Sequence, residues 1–153
     1  MTLALKDHIS THLITVEADD SINHALMLMK SRNIRHLPVV NKEGRTVGIV
    51  SDRDLYKGLS SSIDRIEQVM HSHLVKADVG TDIMEITRKM IDEKISAILV
   101  TRNARVIGIV TTEDLLHLLL RLLKDNNVAP TMLEEFIRSL ENLAQSVKNP
   151  NYV

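Results

Sequence analysis

The chain has 153 residues, enough for one compact core but too few for two domains of ordinary size. Its 19 lysines and arginines against 20 acidic residues give a net charge of -1, so duplex nucleic acid is not expected as a partner. Two tyrosines and one phenylalanine are too few to form a stacking surface for single-stranded bases.

The composition also indicates the cellular compartment in which the protein is expected. There is no cysteine and no apolar stretch long enough to span a bilayer, so neither a disulfide framework nor a membrane protein is expected. The first residues, Met1 to His8, lack the basic and apolar runs of a secretory signal. We therefore predict a cytoplasmic protein.

An internal repeat predicts the architecture. Two stretches of the chain align at an offset of 61 positions, which becomes 60 after one deletion in a turn. The aligned pairs are His12 to Ile14 with His73 to Val75, Ile22 with Ile83, Met29 with Met90, Ile34 with Ile95, Val39 with Val100, and Gly48 to Leu55 with Gly108 to Leu115.

Within each copy, the hydrophobic period changes from a short extended piece to a helix. The first of these helices is predicted to begin at Asp20 or Ser21. In the second copy, Thr81 is predicted to cap the corresponding helix. The apolar face of that helix is expected to comprise Ile83, Ile86, Met90 and Ile91.

Two strands and a final helix complete each copy. The first strand of the pair is predicted at Ile34 to Val40 and at Ile95 to Thr101, and turns follow at residues 41–44 and 102–104. Units this small bury little surface alone, so the two copies are expected to pack face to face with pseudo-twofold symmetry. The prediction is an α+β fold with a first repeat over residues 1–61 and a second over residues 62–124.

The last part of the chain carries further apolar surface. Leu115 to Lys124 has leucines almost all round, and Thr131 with Glu134 forms a capping-box pattern in residues 125–153. An amphipathic C-terminal helix is therefore predicted, and its apolar stripe covers either the chain's own leucines or those of a partner chain. We expect a homodimer. The stripe comprises Met132, Leu133, Phe136, Ile137, Leu140, Leu143 and Val147.

The strongest chemical signal is Gly-Ile-Val-Ser/Thr-x-x-Asp, which occurs twice where a strand is predicted to turn into a helix. A helix start offers unpaired N–H groups and a positive dipole end to a phosphate, beside the hydroxyl of Ser51 or Thr111. One turn further on, Asp54 and Asp114 could accept hydrogen bonds from ribose hydroxyls. The same pattern is also an ordinary helix cap, but its recurrence in a symmetric repeat favours binding.

These features resemble a pair of cystathionine β-synthase (CBS) domains over about residues 5 to 122. The most specific stretches are Ile34 to Val40 and Gly48 to Asp54. The resemblance implies a disc-like tandem module that binds AMP, ADP, ATP or related adenosyl ligands in clefts between the copies. It places Ser51 and Thr111 near phosphate, and Asp54 and Asp114 on ribose.

The resemblance also implies the remaining site residues. The first extended piece and the first strand of each copy would line the adenine, and basic residues would reach the phosphates. The adenine candidates are Thr15, Val16, His36, Leu37 and Pro38 in the first copy, and Lys76, Ala77, Ala97 and Leu99 in the second; the phosphate candidates are Arg35 and Arg53. Because Ser96 and Glu113 replace these arginines in the second copy, the two sites are expected to differ in strength.

Catalytic and metal sites are not expected. The sequence contains no nucleophile elbow, no Walker-type phosphate loop and no cysteine nucleophile. Among the seven histidines, only His71 and His73 are close in sequence, and zinc requires three or four convergent ligands. His36 could modulate binding near neutral pH.

The function predicted is therefore a non-catalytic regulatory module that binds an adenine nucleotide and acts on a target protein that the sequence does not identify. Two alternatives remain open: a ligand-free structural and dimerisation module whose Ser/Thr–Asp pairs are only caps, and a metal-ion sensor. The sequence does not choose among adenosyl ligands.

Overall fold

The structure is a computed structural model that describes residues 13–125, with side chains to residue 123. The predicted C-terminal helix lies outside these residues. The first repeat contains β1 (Val16–Glu17), α1 (Ile22–Arg32), β2 (His36–Val40), β3 (Thr46–Ser51) and α2 (Asp52–Ser60). The second contains β4 (Lys76–Asp78), α3 (Ile83–Asp92), β5 (Ala97–Arg102), β6 (Arg105–Thr111) and α4 (Thr112–Asp125). The βαββα order predicted from the repeat is confirmed.

Each repeat builds one three-stranded sheet. In the first repeat β1 lies parallel to β2, and β2 pairs antiparallel with β3; β4, β5 and β6 repeat this arrangement. The parallel pair is joined through a helix, as a parallel connection requires. Val16 pairs with Val39, and Ala77 with Val100, so the strand register follows the 61-residue offset.

Aliphatic side chains fill both cores, as the shortage of aromatic residues requires. In the first repeat, side chains from both helices and all three strands are buried together with Ile66, which lies in a short 3-10 helix, Ile66–Gln68. The first core comprises Val16, Ile22, Ala25, Met29, Leu37, Val39, Val50, Leu55 and Ile66. Buried hydrophobic residues of the second repeat include Ile83, Ile86, Met90, Ile98, Leu99, Val100 and Val110.

The residues that cap α1 and α3 align at the 61-residue offset, whereas the predicted caps of the two helices did not all do so. Ser21 caps α1 by accepting a hydrogen bond from the His24 N–H. The cap of α3 is Asp82, which accepts from the Met84 N–H, so the prediction of Thr81 was wrong. Asp82 occupies the position that aligns with Ser21, and the Thr81 N–H instead donates to the Asp78 carbonyl in the preceding turn.

The strands after α1 and α3 begin two residues later than predicted. Asn33 and Lys94 adopt left-handed backbone conformations, with φ of 51° and 54°. The following N–H groups, on Ile34 and Ile95, then donate to the Met29 and Met90 carbonyls. Both helices therefore end in a Schellman-type cap, which removes these two isoleucines from the strand ladders.

The apolar face of α3 is narrower than predicted, because Ile91 is 69% exposed. It follows the buried Met90 by one residue, and a single step turns a side chain by about 100° around the helix axis. In α4, Leu118 is buried, whereas Leu116 and Leu120 are exposed. Among residues 13–125, no helix is both long and apolar enough to cross a membrane.

A substitution at Gly58 tests how closely the side chains of the first repeat are packed. A Cβ atom at this position would lie 2.6 Å from Ile22 Cδ1 and 2.8 Å from Val69 Cγ1. In an open helix, Gly→Ala stabilises by up to about 1 kcal/mol. Here we expect Gly58→Ala to destabilise by about 1–3 kcal/mol through overpacking, as measured by urea unfolding. The neighbouring exposed substitution Lys57→Ala is the control, and a Gly58→Ala variant more stable than the parent would contradict this packing.

Candidate functional site

Both copies of the repeated motif lie where a strand turns directly into a helix. Ser51 ends β3 and caps α2, and Thr111 ends β6 immediately before α4. The Asp54 N–H donates to Ser51 Oγ at 3.3 Å, while Ser51 N–H and Oγ–H both donate to Asp54 Oδ2, at 2.9 and 2.6 Å. Thr111 and Asp114 repeat these bonds at 3.3, 2.7 and 2.7 Å. Each motif is thus a closed capping box.

A closed box uses only one oxygen of each carboxylate. Asp54 Oδ2 receives both donors from Ser51, whereas Oδ1 lies 3.1 Å from His71 Nε2. Burial alone would raise the pKa of Asp54, but the hydrogen bonds from Ser51 and the contact with His71 outweigh it and lower the pKa. Asp54 therefore presents an ionised carboxylate at neutral pH.

Asp54 lines a cleft between the two repeats, which we call the inter-repeat cleft. It has a volume of about 660 Å³, within the range of small-molecule sites. The first repeat contributes the end of β3 and the start of α2, and the second contributes the end of α3 and the start of β5. The lining residues are His36, Ile49, Val50, Ser51, Arg53, Asp54, Met70, His71, Ser72, His73, Leu74, Val75, Glu93, Lys94, Ile95, Ser96, Ala97 and Leu99.

One wall of the cleft is the segment that connects the repeats, residues 70–75. His71 forms a two-bond bridge with Ile49 on the edge of β3: the Ile49 N–H donates to the His71 carbonyl at 3.0 Å, and the His71 N–H donates to the Ile49 carbonyl at 2.9 Å. Four residues later, the Val75 carbonyl accepts from the Leu99 N–H in β5. The connecting segment is therefore tied to both sheets.

The repeats also meet directly at the starts of β2 and β5. His36 Nε2 and Ser96 Oγ lie 2.9 Å apart. Burial lowers the pKa of His36, and the nearby carboxylates of Asp52 and Asp54 oppose this shift only in part. His36 is thus a neutral imidazole at neutral pH and contributes polarity rather than charge to the cleft.

Six of the predicted site residues line the inter-repeat cleft: His36, Ser51, Arg53, Asp54, Ala97 and Leu99. The cleft thus combines the motif of the first repeat with the β5 strand of the second. The other predicted residues are not among its lining residues, and Val16, Leu37 and Pro38 are buried within the first repeat. These others are Thr15, Val16, Arg35, Leu37, Pro38, Lys76, Ala77, Thr111 and Asp114.

Arg35, predicted to reach phosphate, lies elsewhere. Its Nε donates to Asp52 Oδ2 at 2.9 Å, and this hydrogen bond together with the Asp52 charge raises the pKa of Arg35. The pair lines a separate cleft with residues of α1 and with Tyr56. Burial alone would raise the pKa of Asp52, but the bonds from Arg35 and the Arg53 N–H lower it.

Sequence reasoning missed the polar residues that the second repeat and the connecting segment bring to the cleft. Lys94 and Glu93 come from the end of α3, and His71 and His73 come from the connecting segment. Lys94 aligns with Asn33 and has the same left-handed conformation, which a non-glycine residue adopts at some cost. A lysine at the position where the first repeat has Asn33 is unfavourable for the left-handed backbone conformation, and this difference was the sequence signal that could have drawn attention to Lys94. Within residues 13–125, no three histidine or acidic side chains converge as a metal site would require.

The lowered pKa of His36 predicts a pH effect on stability. Since burial places this pKa below that of the unfolded state, the unfolded chain binds a proton first as the pH falls. The contribution of His36 to stability should be constant well above pH 6.5 and be lost progressively as the pH falls through about 6.5, by at most about 1.4 kcal/mol per pH unit for one proton. We expect His36→Gln to flatten the decline in thermal unfolding between pH 7.5 and 5.

The control is His24→Gln, which removes an exposed imidazole that pairs with Asp20 outside the cleft. It should retain the decline attributed to His36. An identical pH profile for His36→Gln and the parent would contradict the assignment.

Comparison with known proteins identifies the fold. Residues 5–61 and 66–121 each match the family model described as CBS domain. The solved CBS domain pair of protein MJ0100, in complex with 5-methylthioadenosine and S-adenosyl-L-methionine, is 32% identical, covers 78% of this chain and 97% of that chain, and has a TM-score of 0.74.

Relatives with similar sequences differ in how much of their length this chain covers. L-aspartate semialdehyde sulfurtransferase of Methanocaldococcus jannaschii is 34% identical over 115 residues, which is 74% of this chain but 23% of that enzyme. A CBS domain-containing protein of Dictyostelium discoideum is 28% identical over 139 residues, which is 96% of its length. The chain thus spans less than a quarter of the enzyme and nearly all of the second relative. On the two matches to the family model, the chain belongs to the CBS domain family and carries two CBS repeats.

Proposed function

We propose that this chain is a non-catalytic regulatory module that binds an adenosyl ligand in the inter-repeat cleft. The observation that carries the proposal is the juxtaposition of the Ser51–Asp54 helix start with the apolar start of β5 across one cleft. A nucleoside needs both surfaces, because its base is flat and largely apolar on its faces whereas its ribose is a cluster of hydroxyls. The cleft volume suits one such molecule.

Each part of the ligand has a counterpart in the cleft. In this proposal Asp54 Oδ1 accepts hydrogen bonds from ribose hydroxyls, and the positive dipole end of α2 together with Arg53 favours a phosphate or another anionic group. The N–H groups of Asp52, Arg53 and Asp54 already donate within the protein. Ile95, Ala97 and Leu99 supply aliphatic contacts for the base. The adenosyl ligands in the related MJ0100 domain pair support the same ligand class.

The charged residues that line the cleft limit which adenosyl ligands it suits. Its lining contains two permanent cations, Arg53 and Lys94, and two carboxylates, Asp54 and Glu93. These charges balance, so the cleft does not offset the several negative charges of a triphosphate. Within the AMP, ADP and ATP class and related adenosyl compounds, the balance supports a ligand of low net charge, such as AMP or an adenosyl thioether.

A ligand-free structural module is the second candidate, because both Ser/Thr–Asp pairs form complete capping boxes. Thermal shift with AMP, ATP, 5-methylthioadenosine and S-adenosyl-L-methionine separates the two candidates. A ligand present at 100 times its dissociation constant should add about 2.7 kcal/mol of stability. If no member of the panel shifts the transition and the protein retains no nucleotide on purification, the structural module is correct.

We expect Asp54→Asn to weaken binding of the adenosyl ligand about 10- to 150-fold, because a hydrogen bond to a charged group contributes about 1.5 to 3 kcal/mol. Isothermal titration calorimetry measures the affinity, and thermal unfolding of the free protein checks the fold. Asparagine keeps an oxygen for the capping box, so the helix start is expected to persist.

The matched control for this variant is Asp64→Asn, which removes an exposed carboxylate outside the cleft. It should bind as the parent does. Unchanged affinity in Asp54→Asn would place the ribose elsewhere.

We also propose that the module is a homodimer in the cytoplasm. Leu116 and Leu120 are 57% and 51% exposed on α4, and Tyr56, which aligns with Leu116, is 61% exposed on α2. A second copy of this chain is the occupant we propose for these apolar side chains, because closed twofold dimers are the commonest oligomers.

Introducing a charge among these leucines should break the dimer. We expect light scattering after size exclusion to give twice the chain mass for the parent and the single mass for Leu116→Asp, because an unpaired charge in an apolar interface is unfavourable. His117→Asp places the same charge at a neighbouring exposed position and serves as the control. A parent that is monomeric at all concentrations would contradict the dimer.

A further inference from the structure

The two oxygens of the Asp54 carboxylate differ in what they can offer a ligand. Oδ2 already accepts the N–H and the hydroxyl of Ser51, which accounts for its two lone-pair directions. Oδ1 has one partner, His71 Nε2 at 3.1 Å. A hydroxyl group entering the cleft must therefore approach Oδ1, and a pair of hydroxyl groups needs the acceptor direction that His71 occupies as well as the open one.

The His71 side chain can leave Asp54 Oδ1 without a change in the backbone around it. Its backbone is held to β3 by two hydrogen bonds with Ile49, whereas its side chain is 67% exposed and contacts the carboxylate with one ring nitrogen. Rotation of the side chain breaks a single contact and leaves the backbone bridge intact. An exposed pair of this kind is weak, typically worth less than about 1 kcal/mol.

Among the side chains that the structure describes, the second repeat does not duplicate this contact. Thr111 and Asp114 form the same capping box as Ser51 and Asp54, but Asp114 Oδ1 has no partner among the described side chains. At the offset of 61 residues, the position that aligns with His71 is Ser10, and a serine cannot pair with a carboxylate as an ion. Within the described residues, a histidine therefore contacts the motif carboxylate in the first repeat alone.

We infer that His71 is a specificity-determining residue that competes with ligand hydroxyls for Asp54, so that a ligand whose hydroxyl pair uses both acceptor directions of Oδ1 binds in the inter-repeat cleft by displacing it. This inference rests on the proposed function. A ligand without a hydroxyl pair in the right place cannot replace the lost His71 contact and is disfavoured.

Calorimetry with 5-methylthioadenosine tests the competition, because this probe has a ribose but no phosphate that a freed imidazole could bind. We expect His71→Ala to bind it about two- to fivefold more tightly than the parent, in proportion to the weak contact removed. In an Asp54→Asn background, His71→Ala should have no effect on affinity. His24→Ala is the matched control, since it removes an imidazole paired with Asp20 outside the cleft.

The possible outcomes are distinct. Weaker or unchanged binding by His71→Ala, with the parent binding normally, overturns the competition and leaves the proposed function standing. If neither protein binds 5-methylthioadenosine or any other member of the ligand panel, the proposed function itself is overturned.

Discussion

The capping box between Ser51 and Asp54 is the interaction on which the site depends. It satisfies N–H groups that a helix start would otherwise leave unpaired, and so it allows β3 to pass directly into α2 without a loop. The same bonds hold the Asp54 carboxylate in one orientation. One oxygen accepts the N–H and the hydroxyl of Ser51, and the other contacts His71 in the lining of the cleft, so the cap and the proposed binding group are the same side chain.

This shared use explains why a cap and a binding site are not exclusive interpretations of the motif. A carboxylate has about four acceptor directions, and the box takes two of them, both on Oδ2. The pKa of Asp54 falls because the bonds from Ser51 and the contact with His71 prevail over burial, so the remaining oxygen stays charged. The stability of the helix start and the acceptor strength of the site thus have the same origin.

The repeats supply similar backbones but different side chains to the space between them. At the position of Arg35 the second repeat has Ser96, which meets His36 across the boundary at 2.9 Å. Lys94 aligns with Asn33 and brings a cation to the cleft at the end of α3. A cleft made from non-equivalent parts of two aligned units need not be symmetric in charge or affinity, even though the strand register in the two units matches.

The sequence alone determined the repeat, the element order and the strand-to-helix position of both motifs, because hydrophobic period, glycine and capping residues act over a few neighbouring positions. It identified Ser51 and Asp54 as a pair for the same reason, and the resemblance to CBS domains implied Arg53 beside them. The tertiary structure alone decided that this group faces β5 of the other repeat, that Arg35 turns away to Asp52, and that His71 reaches Asp54. These outcomes depend on contacts between residues that are far apart in the sequence, where the two sheets and the connecting segment pack together. Local sequence patterns extend over only a few neighbouring positions and therefore do not predict such contacts.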